Sequence, residues 1–162
     1  MNVPAWLVNL SALWASVYSN HAALRTAVTF AHVGGLLGGG GCAIAADRMT
    51  LVALRQDSAT RATQLRALRN THRVVLVGLS VVIASGVLLL AADLSTYLHA
   101  WLFWLKLTLV TLLLANGAVL LKAERQAEAG VPSGWTWLAR GATASLILWF
   151  LTTLIGAALP NV

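Results

Sequence analysis

The sequence predicts an all-α integral membrane protein, a four-helix bundle preceded by a short N-terminal interfacial helix. Of the 162 residues, 59% are apolar and only 10% are charged, whereas a soluble domain has about 45–50% apolar and about 25% charged residues. Four apolar runs reach the length of about 20 residues that a membrane-spanning helix needs. These runs are continuous and rich in Ala and Leu, without the alternation typical of a membrane β-barrel. The composition therefore excludes an ordinary soluble enzyme, a disordered tail and a secreted disulfide scaffold.

The predicted spans cover residues 21–46, 73–92, 98–121 and 137–159. Their connections are short, so we expect one antiparallel bundle and a single domain over residues 1–162. Residues 47–70, which follow the first span, contain neither Pro nor Gly. This stretch predicts that the first span continues as a helix beyond the membrane.

A different pattern precedes the first span. A secretory signal peptide would need an early positive charge, and the first basic residue is Arg25, so we do not expect one. Instead, the spacing of the apolar residues predicts a short helix at residues 3–19 that lies in the membrane interface and is anchored by two Trp residues. The apolar residues recur at three- and four-residue steps and are Trp6, Leu7, Leu10, Leu13, Trp14 and Val17.

The basic residues predict how the chain is oriented. The formal net charge of +6 is interpreted as a topology signal, because such an apolar chain keeps most of its Lys and Arg outside the bilayer core. The connection between the second and third spans contains no Lys or Arg, only Asp93. We therefore expect a location in the inner (plasma) membrane, with both termini outside and the Arg-rich connections in the cytoplasm. The residues on that side are Arg48, Arg55, Arg61, Arg66 and Arg69 after the first span, and Lys122 and Arg125 after the third.

The expected partners follow from the same composition. The lipid bilayer is the first of them. Residues 47–70 contain no aromatic side chain on which a base could stack, so we expect no nucleic-acid partner. Gly141 and Ser145 offer a small-residue face on the fourth span. Packing within the chain explains this face as well as a homo-oligomer or a place in a larger complex does.

Three ionisable residues lie within the predicted spans, where a charged side chain costs about 2.5–3.5 kcal/mol to insert. They are His32, Lys106 and, less deeply, Arg25. His32 follows His21 by eleven residues, and Lys106 follows Leu98 by eight. At about 1.5 Å per residue, both lie roughly 12–17 Å deep. The spacing therefore predicts that two nitrogen bases converge at one level inside the bundle.

The helical period adds a second pair of bases nearer the surface. His21 and His32 are eleven residues apart, and His99 and Lys106 are seven apart, so the members of each pair share a helix face. We expect His21 to meet His99 and His32 to meet Lys106. Because imidazole commonly ligates haem iron and a porphyrin fits between helices, the pattern predicts a haem b site with His32 and His99 as metal ligands. Arg25 or Lys106 would neutralise the porphyrin carboxylates.

The first span contains a glycine-rich run at residues 34–41. Glycine lets another backbone or a flat cofactor approach a membrane helix closely, so Gly35 and Gly38 are candidate cofactor-contacting residues. The pairs Gly34/Gly38 and Gly35/Gly39 are also typical of helix packing. The sequence leaves both interpretations open.

Copper is the alternative cofactor. Cuprous ion prefers Met and Cys ligands, and this chain has only Met1, Met49 and Cys42, which form no cluster. No His-x-His spacing occurs either. The residues therefore favour haem over copper.

The other polar residues are given structural roles. His72 is predicted to lie on the surface at the end of the second span, and Glu124 and Glu128 to form a solvated helix end. Asn116, within the third span, is predicted to hydrogen-bond to a neighbouring helix.

A segment of the second and third spans resembles the copper-resistance D (CopD-like) membrane family. The similar features are Ser85-Gly86, a short loop ending in Tyr97, the run Trp-Leu-Lys-Leu-Thr-Leu-Val around Lys106, and Asn116-Gly117. The resemblance to this family implies copper transport as one alternative function.

The first span is similar to the HemJ-type protoporphyrinogen oxidases. The matching features are His32, the glycine-rich run and Arg48, and that family also carries a Lys in the third helix, matching Lys106. The resemblance implies haem or porphyrin binding by His32, with Lys106 near the macrocycle. Where the HemJ-type third helix has a His, this chain has Asn116-Gly117.

Together these patterns predict a membrane-embedded, b-type cytochrome-like redox protein that exchanges electrons with a quinol or a redox partner protein. A HemJ-like porphyrinogen oxidase, a CopD-like copper transport protein and a non-catalytic accessory subunit of a membrane complex are the alternatives. The sequence does not decide whether the protein is an enzyme.

Overall fold

The computed structural model describes residues 4–159, apart from the side chains of Gln64, Ala67, Arg69 and Asn70. Residue 3, where the sequence places the start of the first helix, and Met1 lie outside the described residues, as does the side chain of Arg69. Within the described part all regular structure is helical. The helices are α1 (Ala5–Asn20), α2 (Ala22–Gly35), a π-helical turn (Leu36–Gly40), α3 (Gly41–Ala53), α4 (Ser58–Ala92), α5 (Leu94–His99), α6 (Trp101–Glu128) and α7 (Pro132–Ala158).

Four helical stretches are long and apolar enough to cross a membrane, which is consistent with a multi-pass membrane protein. The first runs without a break through α2, the π-helical turn and α3, and ends at Ala53 rather than near residue 46. The third begins at Trp101 rather than at residue 98 and extends to Glu128. The stretches are Ala22–Ala53, Thr71–Ala92, Trp101–Glu128 and Pro132–Ala158.

The basic stretch after the first span differs from the prediction. The helix expected to continue through residues 47–70 ends at Ala53, and a new helix begins at Ser58. Asp57 caps this new helix, because its carboxylate accepts hydrogen bonds from the Thr60 backbone N–H at 2.8 Å and the Thr60 hydroxyl at 3.1 Å. Most of the basic stretch therefore belongs to α4 and leads into the second span.

The α2–α3 stretch packs on α4 through glycines. A Cβ atom on Gly78 of α4 would lie 2.5 Å from the Gly39 Cα atom, and one on Gly35 would lie 3.0 Å from the Gly78 carbonyl oxygen. Backbone touches backbone at this crossing, which only glycine permits. Gly40, the last residue of the π-helical turn, packs against the Trp149 ring of α7.

The helices α6 and α7 form the most extensive helix pair. The Asn116 amide of α6 donates a 3.0 Å hydrogen bond to the Gly141 carbonyl of α7, as predicted for Asn116. A Cβ atom on Gly141 would meet Leu120 at 2.7 Å, and Ser145 is buried. The small-residue face of α7 is therefore used for packing within the chain.

One apolar cluster packs α4, α6 and α7 together at the end of the molecule where α3 and α6 finish and α4 and α7 begin. We call this end the basic end, because it carries most of the Lys and Arg residues, and we call the other the opposite end. The cluster is formed by Leu65 and Leu68 of α4, Ala123 and Ala127 of α6, and Leu138 of α7.

At the opposite end, the short helix α1 docks on α4. The Trp14 indole N–H donates a 2.8 Å hydrogen bond to the Leu88 carbonyl near the end of α4. Trp14 thus anchors α1 to the protein, whereas the Trp6 side chain is largely exposed.

Candidate functional site

The most distinctive polar environment at the opposite end surrounds His32. Its Nδ1 atom lies 3.1 Å from the Val82 carbonyl oxygen and 3.0 Å from the Ser85 hydroxyl oxygen, both on α4. Gly86 leaves room for the ring, since a Cβ atom there would lie 3.3 Å from His32 Cε1. The side chain is partly buried. Three residues of α4, Val82, Ser85 and Gly86, therefore fix the position of this imidazole.

These contacts also fix the proton on the ring. A carbonyl oxygen only accepts, and the Ser85 hydroxyl proton is committed to the Val81 carbonyl at 2.6 Å. His32 Nδ1 must therefore carry the proton and donate it. A neutral imidazole held in this way leaves Nε2 with a free lone pair, which is the arrangement found at metal-ligating histidines.

Lys106 reaches toward the same region from α6. His32 and Lys106 lie close enough for their charges to act on each other. A Cβ atom on Gly156 of α7 would lie only 3.2 Å from the Lys106 Nζ atom. Gly156 lies in the last turn of α7, where backbone carbonyls carry partial negative charge that attracts a cation. The amine is therefore directed toward the opposite end of the molecule.

The predicted equality of depth rests on span starts that differ from the helix starts in the structure, and it stays a prediction. Because α2 begins at Ala22 and α6 at Trp101, His32 lies about 15 Å and Lys106 about 8 Å from the first residue of its own helix, at about 1.5 Å per residue. The sequence estimate took the third span to begin before Trp101, where the chain instead forms α5 and a bend.

The helices that carry the two bases are not tightly packed against each other. Helix α2 packs extensively on α4, but its contacts with α6 and α7 are sparse at most. Two surface depressions lie elsewhere, on the outward face of α3. The larger, of about 620 Å³, is lined in part by Gly41, Arg48 and Met49.

His21 and His99 occupy helix ends and are both exposed. Each donates from Nδ1 to the carbonyl four residues earlier, His21 to Val17 of α1 at 2.8 Å and His99 to Ser95 of α5 at 2.7 Å. Their Nε2 atoms are left free in the same way as that of His32. Their expected pairing and the ligand role of His99 stay predictions.

Arg25 is already engaged by the protein. Its guanidinium donates to the Tyr18 carbonyl at 3.4 Å and to the Ser19 carbonyl. These carbonyls end α1 and have no partner within the helix, so Arg25 serves as a C-terminal cap. This contact accounts for one side of the guanidinium without any cofactor carboxylate.

The two candidate glycines have different surroundings. The space beside Gly35 is occupied by α4, because a Cβ atom on Gly35 would lie 2.8 Å from the Val82 side chain. Gly35 therefore belongs to the helix crossing, and its predicted contact with a cofactor stays a prediction. Gly38 has nothing within 4 Å in the Cβ direction, so its face remains open.

A second polar group, which the sequence did not predict, lies at the basic end. Glu124 is 5% exposed, and its Oε2 atom lies 3.1 Å from His72 Nδ1. The prediction of a solvated Glu124 is therefore wrong, whereas the His72 side chain is 27% exposed and so lies partly covered at the surface. Asp47 of α3 is 7% exposed and lies within electrostatic range of His72.

A signal for this group is present in the sequence. Glu124 is flanked by Ala123 and Ala127, and Asp47 follows a run of small residues in α3. Small neighbours one and three residues away are typical of a helix face packed against another helix. They indicate burial for an acidic residue that charge alone would place in solvent.

The fold and the two polar groups define a membrane-type helical protein with ionisable side chains held between its helices. No protein-family model, curated protein or solved structure matches the chain.

Proposed function

We propose that this protein is a membrane-embedded, b-type cytochrome-like redox protein that holds haem through His32. The observation that carries the proposal is the hydrogen bond from Nδ1 of His32, which leaves Nε2 with a lone pair that can bind a metal. His32 is backed by the Val82 carbonyl and Ser85. Outer hydrogen bonds of this kind orient a metal-ligating imidazole and raise its basicity.

The donor set fits haem better than a protein-built copper site. Among residues 4–159, no group of three or more His, Cys, Asp or Glu side chains is placed to hold a metal ion. Haem needs only one or two axial side chains, because the porphyrin supplies the other ligands. His32 would be one, and Lys106 would act as a second base or as the cation beside a porphyrin carboxylate. Bound haem would supply one-electron transfer.

The surroundings of His32 suit a flat apolar group. The sparse contact between α2 and α6 leaves the two bases on helices that are not sealed against each other, and Gly38 presents an open face. His99 and His21, with free Nε2 atoms at the same end, would be candidates for a second side chain that holds the haem. Arg25 retains donors besides the one that caps α1.

We further propose the membrane arrangement that the charges favour. The four apolar stretches form one bundle in the inner (plasma) membrane, and α1 lies along the interface at the opposite end. The basic end faces the cytoplasm, and both termini lie outside. A quinol in the lipid phase or a redox partner protein is the proposed source or acceptor of electrons.

The test is an absorption spectrum of the detergent-purified protein, oxidised and reduced, after expression with ample haem. We expect a haem band that is lost in His32→Gln, whose amide can still occupy the site but does not ligate iron as imidazole does. Thr29→Val, an exposed site one turn earlier on α2, should leave the band unchanged. A colourless wild-type protein, or an unchanged band in His32→Gln, would contradict the proposal.

Ser85→Ala tests the positioning role of α4. Loss of one hydrogen bond to His32 should weaken haem affinity by up to about tenfold while preserving the band. Ser80→Ala is the matched control, because the exposed Ser80 hydroxyl bonds only its own helix at the Leu76 carbonyl. Equal effects of the two variants would remove the proposed role of Ser85.

A further inference from the structure

Three titratable side chains from three helices lie in one region at the basic end. Asp47 of α3 and Glu124 of α6 are both more than nine-tenths buried, at 7% and 5% exposure. His72 of α4 lies 3.1 Å from Glu124 and within electrostatic range of Asp47. We call these three residues the Asp47–His72–Glu124 cluster. It is separate from the His32 site.

Each acid of the cluster has an oxygen atom without a partner. Glu124 Oε1 and Asp47 Oδ2 are buried and accept no hydrogen bond from the described residues. A buried carboxylate oxygen without a partner is costly as long as the group is charged. Adding a proton removes that charge and most of the cost.

The charge balance of the cluster also favours the binding of a proton. If all three groups are ionised, two carboxylates face one imidazolium, and the cluster carries one excess negative charge. The neighbouring side chains do not neutralise it. The Ser145 hydroxyl of α7 faces Asp47, and buried Thr50 of α3 donates to its own helix at the Ala46 carbonyl.

No described cation completes the balance. Arg48 and Arg125, the basic residues next to the acids along α3 and α6, are exposed, and so is Lys122. Among the described side chains, the contact between His72 and Glu124 is the ion pair that the cluster contains. One added proton would make the cluster neutral.

We propose that the Asp47–His72–Glu124 cluster is a proton-binding site that exchanges protons with water at the basic end. Chains of Asp, Glu and His inside membrane helices are typical of proton relays. His72 is the entrance, because its side chain is 27% exposed while both acids are buried. The imidazolium passes its Nδ1 proton to Glu124 Oε2, and the neutral ring then takes up a proton from water, so the cluster gains one proton. Only N–H and O–H bonds form or break, and no electrons move.

Infrared spectroscopy of the full-length protein in lipid nanodiscs tests this site directly, and it needs no haem. We expect the C=O stretching band of a protonated carboxyl group at neutral pH, which disappears in alkaline buffer. The band should be lost or at least halved in Asp47→Asn or in Glu124→Gln. Glu128→Gln is the control, because Glu128 is exposed at the end of α6.

The absence of the band in the wild-type protein at neutral pH would overturn the proposal. So would its retention in both variants, or its loss at constant pH when Na⁺ is added, which would identify a metal-cation site instead. If Asp47→Asn does not fold, Asp47→Glu and Glu124→Gln decide the question. His72→Gln should slow hydrogen–deuterium exchange of the carboxyl at least about tenfold, and an unchanged rate would contradict the role of His72 as the entrance.

Discussion

His32 and His72 are both held through Nδ1, but by different kinds of partner. His32 donates to the neutral Val82 carbonyl and to Ser85, whereas His72 lies against the Glu124 carboxylate. A neutral acceptor orients the ring and leaves Nε2 as a base, while a carboxylate stabilises the charged imidazolium. The two arrangements match the proposed roles, which are ligation for His32 and proton binding for His72.

The helices around His72 are packed more closely than those around His32. At the basic end, α4, α6 and α7 meet in one apolar cluster, and the acids are sealed within the protein. At the opposite end, α2 contacts α4 closely but approaches α6 only sparsely. A site for a large flat ligand needs the second arrangement, and a site for a proton needs the first.

The difference between the two ends depends first on the contact between glycines that holds the α2–α3 stretch against α4. We expect Gly78→Leu to cost about 3 kcal/mol or more of unfolding free energy, because backbone atoms of Gly39 occupy the space. Gly38→Ala, which faces open space, should be neutral or slightly stabilising. Reversible unfolding in mixed micelles measures both. Equal stability of the two variants would show that this crossing is absent.

Removing His72 tests whether the basic end depends on the ion pair. We expect His72→Leu to destabilise the protein by about 1–3 kcal/mol, because it leaves Glu124 buried without a partner. The double variant with Glu124→Leu should recover most of that loss, since no buried charge remains. A double-mutant cycle of unfolding free energies gives the coupling, and additive effects would contradict it.

Asn116 offers a smaller test in the α6–α7 pair, between the two regions. Asn116→Leu removes the hydrogen bond to the Gly141 carbonyl and should cost about 1 kcal/mol. Thr111→Val is the control on the same helix, because the exposed Thr111 hydroxyl bonds only its own helix. Unfolding in mixed micelles distinguishes the two, and an equal cost would rule out a special role for Asn116.

Asp57 provides the smallest expected effect, at the water-exposed start of α4. Hydrogen bonds from the Thr60 backbone N–H and then from its hydroxyl lower the pKa of Asp57 below its usual value. The cap should therefore stabilise the helix above about pH 4, the range of a free Asp, and lose its effect as the pH falls through the lowered pKa. Amide hydrogen exchange of the first turn of α4 should show this loss, and Asp57→Ala should abolish the pH dependence.

The four apolar helices followed from the sequence because continuous Ala- and Leu-rich runs are a strong signal. The break before Ser58 did not, although Asp57 and Thr60 carry a cap signature. Residues 47–70 lack Pro and Gly, and their basic composition was taken as one solvated helix. The first helix ends at Ala53, and Asp57 caps the start of α4, to which most of this stretch belongs.

The candidate sites were predicted unequally for a physical reason. His32 and Lys106 are conspicuous, because an ionisable residue within an apolar run needs an explanation. Glu124 lies near charged residues at a helix end, so its burial depends on α4 and α7 folding over it, which no local pattern reveals. The partners of His32 on α4 were equally hidden, since Val82 and Ser85 lie about fifty residues away along the chain.

Titration of haemin into the purified protein in nanodiscs tests the role of His32 most directly. The account predicts saturable binding of a single haem per chain, with a shifted Soret band in the wild type and in Thr29→Val. Binding should be lost in His32→Gln. Haemin that binds His32→Gln with the same spectrum and affinity as the wild type would contradict the central claim that this imidazole ligates the iron.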